Sequence, residues 1–258
     1  AENKKNLPTG YYEQTLLGKN LDWIRCYAQG LYTYVQEGKP VLSEYDDTLM
    51  AADFLEPDIS LPIQVGVDFG LTPAAIFGQR TTKGRWNILH ELVTFDMGLE
   101  RFGEMLKTEL ASKFPKFDVL VHGDPAGQKR DEIYEVTAFD HLRSIGLTAR
   151  PTASNDFRIR REAGAMPMNR LIEGKPGLLV DKRCQRLRKS LSGGYHFRRV
   201  QISGGERYKD QPNKNEHSHV GDAFMYLMLG GGEHRTLTRG HNPKFKMARA
   251  KTDFNIFE

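Results

Sequence analysis

The chain has 258 residues, 39% hydrophobic and 27% charged, with a formal net charge of +4. That length supports one large domain with a full core, and no apolar run reaches the ~18 residues of a membrane-spanning helix, so no membrane partner is expected. The two cysteines, Cys26 and Cys184, lie far apart and form no C-x-x-C pair, which points to a reducing, cytoplasmic setting rather than a disulfide framework or a cysteine metal site.

The chain opens on AENKKNLPTG, without an apolar signal-peptide core and without Met; a fragment or processed start is the expectation. Residues 1–60 carry aromatic residues and acids but no strand–helix rhythm. A short helix fits Leu21 to Gln29, and the segment reads as a connector that packs on the main domain. The rhythm begins at Ile63. In LPIQVGVDFG, Ile63, Val65 and Val67 alternate as a strand does, and the run ends in Asp68. Strands are also expected over Ala74–Arg80 and Trp86–Val93, joined by short turns that favour an antiparallel meander.

Leu99, Phe102, Met105, Leu106 and Leu110 form one stripe, which predicts a helix over 98–113. Val119–Val121 makes a short buried strand stopped by GDPAG. Further on, the pattern predicts a helix over Glu132–Ser144 and a strand over Leu147–Arg150. Next come a helix over Arg158–Ile172 kinked or broken at Pro167, a strand over Leu178–Val180 and a helix over Cys184–Leu191. The stretch Gly193–Asn215, rich in glycine and charge, reads as a hairpin or mobile loop. HSHVGDAFMYLMLGGG then runs into a helix that is apolar all round, hence buried, and is stopped by glycines. The order indicates one α/β domain with a central mixed sheet flanked by helices.

Positive charge is clustered. From Lys182 to Arg199 there are seven basic residues and no acid; Arg158, Arg160 and Arg161 add three, and the stretch from Arg235 to Lys251 holds six more. Such clusters suit the phosphates of double-stranded DNA, with Arg158, Arg160, Arg161, Arg186 and Lys189 as candidate contacts. The plain alternative is a solvated helix face.

Three acids stand at element ends. Asp68 closes the first strand, and Asp124 repeats the pattern after Val119–Val121, held by Gly123, Pro125 and Gly127. Asp222 sits near the start of the last helix, where an acid also suits the helix dipole; Ser218 or Asn215 could serve as the N-cap instead. A buried unpaired carboxylate is costly. Three together repel, by about 4 kcal/mol per pair at ~4 Å and an effective dielectric of ~20. Divalent cations would neutralise such a cluster, and two ions roughly 3.5–4 Å apart can activate water and stabilise the leaving oxygen of a phosphodiester. His217 and His219 precede Asp222. His217 could ligate, relay protons or contact phosphate, or simply line a loop; His219 reads as solvent-facing.

The motifs VGVDFG, HGDPAG and HSHVGDAFMYLM, in this order, resemble the nuclease domain of the large terminase subunit of tailed bacteriophages. The likeness covers roughly residues 61–232, and GLYTYVQEGKPVLSEYDDTLMA is similar to the connector after that family's ATPase domain. The resemblance implies a ribonuclease-H-like fold. It also implies a Mg²⁺- or Mn²⁺-dependent, two-ion endonuclease that cuts concatemeric viral DNA during packaging, with the metal-binding role on Asp68, Asp124 and Asp222. The fourth acid of some related enzymes has no counterpart in the motifs. The family's partners would be its own ATPase domain, the small terminase subunit and the portal ring, in the host cytoplasm. The phosphate loop of that ATPase domain, G-x-x-x-x-G-K-[ST], does not occur, so ATP hydrolysis is not expected. The chain then reads as a connector over 1–60, a nuclease domain over 61–232 and a basic, flexible tail over 233–258.

Three alternatives stay open. One is a sugar- or acetate-kinase-like phosphotransferase, suggested by DFGLT. Another is a non-enzymatic DNA- or portal-binding module. The third is another ribonuclease-H-like nuclease such as a resolvase or transposase.

Overall fold

The computed structural model describes residues 38–70, 72–128, 136–200 and 207–233. The helix expected at Leu21–Gln29, the first residues of the one expected from Glu132, and the tail after 233 lie outside them.

In chain order the elements are β1 (Gly38–Pro40), α1 (Asp47–Met50), β2 (Ala51–Ala52), β3 (Ile63–Asp68), β4 (Ala74–Arg80), β5 (Trp86–Val93), α2 (Leu99–Lys113) and β6 (Val119–Gly123). They continue with α3 (Ala138–Ser144), β7 (Ala149–Pro151), α4 (Phe157–Ala165), β8 (Leu171–Ile172), β9 (Lys175–Pro176), β10 (Leu178–Asp181), α5 (Gln185–Lys189), β11 (His196–Val200), β12 (Arg207–Tyr208) and α6 (Ser218–Gly230). The main sheet has seven strands in the order β2-β10-β5-β4-β3-β6-β7. Its centre is the antiparallel meander β3–β4–β5. On one flank β6 and β7 run parallel to β3, and on the other β10 and β2 run parallel to β5, so the sheet is mixed.

Both faces of the sheet are covered. On one face Ile63, Val65, Val67, Phe77 and Val121 pack against Phe102, Leu106 and Leu110 of α2 and Phe139 and Leu142 of α3. On the other, Ile76, Trp86, Ile88, Leu178 and Val180 pack against α6, which is buried at Ser218 and at every position from Val220 to Leu229. Each large apolar side chain so buried contributes about 1.5–3 kcal/mol. Gly66 decides how close α6 comes to the central strand. A Cβ there would fall 2.2 Å from the Ala223 carbonyl oxygen and 2.6 Å from the Leu227 Cβ, so only glycine lets the helix lie directly on β3.

Residues 38–60 do more than pack on the domain. β2 is an edge strand of the main sheet, β1 pairs antiparallel with β11, and Val41, Leu42, Tyr45 and Met50 belong to the α6-side core. The helix expected over Arg158–Ile172 ends at Ala165, ahead of Pro167, and gives way to the β8–β9 hairpin, whose turn places Glu173 and Gly174 at positive φ. α3 starts at Ala138, because Thr137 and Asp140 form a reciprocal capping box there. The Gly193–Asn215 stretch contains the β11–β12 hairpin, which joins β1 in a second, three-stranded sheet. Among the described residues no helix is long and apolar enough to cross a membrane.

Candidate active site

Strand pairing brings two of the acids to one edge. β3 and β6 are parallel neighbours with Val67 opposite Gly123, so Asp68 and Asp124 leave the sheet side by side. The Asp124 amide donates to the Val67 carbonyl at 3.3 Å. Its carboxylate turns back to accept the Ala126 amide at Oδ1, 2.8 Å, in the turn made by GDPAG. Gly123 and Gly127 are required there. A Cβ on either would strike the Phe69 ring, at 2.4 and 2.7 Å.

The third acid arrives on α6. Because that helix lies on β3, its first turns reach the strand's end: His219 Nδ1 is 2.9 Å from Asp68 Oδ2, and the imidazole rests on Gly70, where a Cβ would come within 3.0 Å of it. Asp222 follows three residues later, on the same face of the helix, and its charge is felt at Asp68.

The acids occupy unlike surroundings. Asp68 is 9% exposed. Burial pushes its carboxyl above the ordinary carboxylate range and the Asp222 charge adds to this, while the His219 bond opposes it. Asp68 in turn raises the imidazole of His219. Asp222 is 2% exposed and is enclosed by the protein's own donors. Its Oδ1 accepts the Tyr195 hydroxyl at 3.2 Å and forms an ion pair with Arg160 Nη1 at 3.2 Å, and its Oδ2 is paired with Lys214 Nζ. Arg160 is itself buried and lies 4.6 Å over the Tyr226 ring. Its Nε and Nη1 have no hydrogen-bond partner. The Tyr226 hydroxyl donates to Asn155 Oδ1 at 2.7 Å beside Asp124. Burial above all holds the phenols of Tyr195 and Tyr226 far above their usual range and so keeps them protonated; neighbouring acids add to this, and the Arg160 charge opposes it at both.

The donor chemistry at this edge is that of a hard cation, since Asp68 and Asp124 offer carboxylate oxygens and Mg²⁺ asks a protein for only one or two. His219 leaves Asp68 Oδ1, and Ala126 leaves Asp124 Oδ2, outside those two bonds. Asp222 differs, because Lys214 and Arg160 already neutralise it. Among the described residues no group of three or more His, Cys, Asp or Glu is set to hold a metal ion. At this edge Asp68 and Asp124 present carboxylate oxygens, whereas Asp222 is engaged by Lys214, Arg160 and Tyr195.

Of the residues singled out in the sequence, Asp68, Asp124 and Asp222 come to one end of β3. His217 does not join them. It caps α6 with its ring against Gly194 and its Nε2 3.4 Å from Glu216, and burial, with Lys189 nearby, lowers its pKa. His219, expected to face solvent, holds Asp68 instead. Its signal was the three-residue interval to Asp222, which on a helix puts both on one face.

The basic candidates divide. Arg158 and Arg186 are exposed and Lys189 is half-buried; Arg186 lies 4.7 Å over the Phe95 ring. Arg160 is a correction to the surface reading, because it is buried against Asp222 and Tyr226 and presents no face to a duplex. Arg161 is drawn inward as well, with Nε donating to the Val41 carbonyl at 3.0 Å and Nη2 paired with Glu44. Arg160 faces the core, whereas Arg161 stays partly exposed and is spent on Val41 and Glu44.

The fold matches the structure of the P22 large terminase nuclease domain with a TM-score of 0.55 at 11% identity, over 76% of this chain and 94% of that one. Looser likenesses are to RuvC of Thermus thermophilus (TM-score 0.33, 12% identity, 68% and 96% of the two chains) and to the yeast mitochondrial Holliday junction resolvase Ydc2 (0.33, 10%, 68% and 82%). No protein-family model and no curated protein matches the sequence. The chain has the ribonuclease-H-like fold of a large-terminase nuclease domain.

Proposed function

We propose that this chain is a divalent-metal-dependent endodeoxyribonuclease that cleaves double-stranded DNA, and that it serves a longer protein cutting concatemeric viral DNA during genome packaging. The observation that carries the reading is the 2.9 Å contact between His219 and Asp68. It ties the acid-bearing turn of α6 to the strand end where Asp68 and Asp124 emerge.

On this reading Asp68 and Asp124 hold Mg²⁺ or Mn²⁺, with Asp222 as the third acid of the group. When bound, such an ion supplies Lewis-acid stabilisation of the phosphodiester and a water of lowered pKa. The chain's own groups do the rest. The His219 Nδ1–H donates to Asp68 and fixes which carboxylate oxygen faces the substrate. Tyr195 and Arg160 hold Asp222 in one rotamer. Arg158, Arg186 and Lys189 are the remaining candidates for backbone phosphate, and contacts of that kind position a duplex without reading its sequence. The ATPase domain of the same protein, the small terminase subunit and the portal ring are the partners this role requires. The setting is the host cytoplasm at the procapsid portal.

A second reading is favoured by one observation. Asp222 is already neutralised by Lys214 and Arg160, as it would be in a non-enzymatic module that grips DNA or a portal ring. Nicking of supercoiled plasmid separates the two. The nuclease reading expects conversion in Mn²⁺, none in EDTA, and none by Asp68→Ala. Absence of metal-dependent nicking, or nicking by Asp68→Ala at the wild-type rate, rejects it.

A further inference from the structure

Strands β2, β10 and β5 are parallel neighbours, and the segments that follow β2 and β5 each carry an exposed aromatic ring. Phe54, two residues past β2, is 62% exposed, and Phe95, two residues past β5, is 52% exposed. The Arg183 guanidinium lies 4.7 Å over the Phe54 ring, and the Arg186 guanidinium lies 4.7 Å over the Phe95 ring. Both arginines are held in place. Arg183 forks onto the buried Asp181. The segment carrying Arg186 is fastened to β5, where the Glu91 carboxylate accepts the amides of Arg186 and Leu187 at 3.0 and 2.8 Å. Each ring is thus backed by a positioned cation on one face and open to solvent on the other.

A cavity of about 530 Å³ opens beside Phe54, with Leu89 and Phe114 as apolar lining and Lys113 and Arg183 as cations. That volume lies within the ~300–1,000 Å³ of ordinary ligand sites. The acid that lines it, Glu91, is spent on the two amides of α5. Lys113 is 44% exposed and stands a loose 3.8 Å from Glu109, so its charge is available to a ligand. Flat ring faces with cations beside them suit a flat base joined to a phosphate. Paired bases inside a duplex keep their faces stacked on one another, so only an unpaired strand can offer them. An acidic protein segment would meet the cations but leave the ring faces unused.

We propose that this face binds an unpaired stretch of DNA, with one base entering the cavity against Phe54, another stacking on Phe95, and Lys113 and Arg186 meeting the phosphates. The grip is tolerant of sequence, since every base has a stacking face. It goes beyond the nuclease reading and does not depend on it, because no metal takes part.

The test is binding of a fluorescein-labelled oligothymidylate of about a dozen nucleotides, within the ~4–16 of known single-strand sites, to the full 258-residue chain in EDTA, followed by anisotropy. Phe54→Ala and Phe95→Ala should each weaken binding about fivefold or more, with thermal midpoints at the wild-type value because both rings are exposed. Phe54→Trp, which keeps a stacking face, should stay within about twofold of wild type, and binding of a duplex of the same length should change less than about twofold in either alanine variant. Wild-type protein with no affinity for the oligonucleotide overturns the proposal. So do alanine variants that bind it as wild type does, or that lose duplex and single strand equally. Oligonucleotide binding that depends on both rings, in a protein that fails to nick plasmid in Mn²⁺, upholds the proposal while rejecting the nuclease reading.

Discussion

Asp68 and Asp181 end two strands of one sheet, run in the same direction, and share the sequence pattern of an apolar strand closed by aspartate, yet they are provisioned in opposite ways. β10 is parallel to β5, and β5 is two antiparallel steps from β3, so both acids leave the sheet at the same edge. Asp181 is fully buried and fully served. Arg183 forks onto it at 2.8 and 2.7 Å, and the amides of Leu55 and Arg183 each donate at 2.9 Å. Burial alone would raise its carboxyl, but these four donors outweigh it and hold the group below the ordinary range. Asp68 receives one imidazole bond, and its carboxyl stays raised. The difference teaches that a buried strand-end acid is not a functional signal; a buried acid with too few donors is. Asp181 fastens the edge strand and the residues before β3, whereas Asp68 is left with the single imidazole bond from His219.

The contrast can be broken or sharpened by substitution. The largest effect should come from Asp68→Asn, which removes charge without changing shape. Plasmid nicking in Mn²⁺ should fall about a thousandfold, the equivalent of ~4 kcal/mol in the barrier, while thermal unfolding stays at or above the wild-type midpoint because an under-served charge has been deleted. A fall of several degrees in that midpoint would make Asp68 a structural acid like Asp181. Next in size is Arg160→Met, which leaves Asp222 buried with Lys214 and Tyr195 alone. Urea unfolding should show a loss of about 3 kcal/mol, as when one member of a buried pair is removed; a loss under ~1 kcal/mol would mean that the surface lysine suffices.

Asp181→Asn should cost about 2 kcal/mol at neutral pH, because the Arg183 fork and two amides lose their anionic acceptor. The pH dependence has a definite sign. The folded-state pKa of Asp181 lies below the ordinary aspartate value of 3.8, so its contribution is complete above that value and drains away as pH falls through the depressed one. The stability difference between wild type and Asp181→Asn should therefore be constant from neutral pH down to about pH 5 and close below about pH 4. A difference that persists once pH has fallen below the depressed value would assign the loss to shape rather than charge. The smallest effect belongs to Arg158→Ala. Duplex binding should weaken a few-fold across sequences, and the slope of log affinity against log salt should shrink by about one. An unchanged slope removes Arg158 from the DNA path.

The periodicities that made the fold legible were those of long, well-patterned segments. The meander from Ile63 to Val93, the stripe from Leu99 to Leu110 and the all-apolar run after Asp222 each had one buried solution. Boundaries set by local chemistry were harder. The Thr137–Asp140 box moved one helix start, and Glu173 with Gly174 turned an expected helix into a hairpin. The strand role of Ala51–Ala52 was invisible, since two alanines carry no alternation. At the site, element ends placed Asp68 and Asp124 because parallel neighbours must end level. They could not say that Arg160 would be spent inside on Asp222. An isolated arginine-rich helix looks the same whether its charges face a duplex or a buried acid. Lys214 had no sequence signal at all; its contact depends on how Asn213 and Asn215 pin a loop to the start of β11.

The most direct test of the account is an anomalous-scattering map from a crystal of this protein soaked in Mn²⁺. The account predicts a peak at the carboxylates of Asp68 and Asp124, the residues that would hold the ion. A soaked crystal with no peak at that edge, or with Mn²⁺ bound only at acids elsewhere, would contradict it.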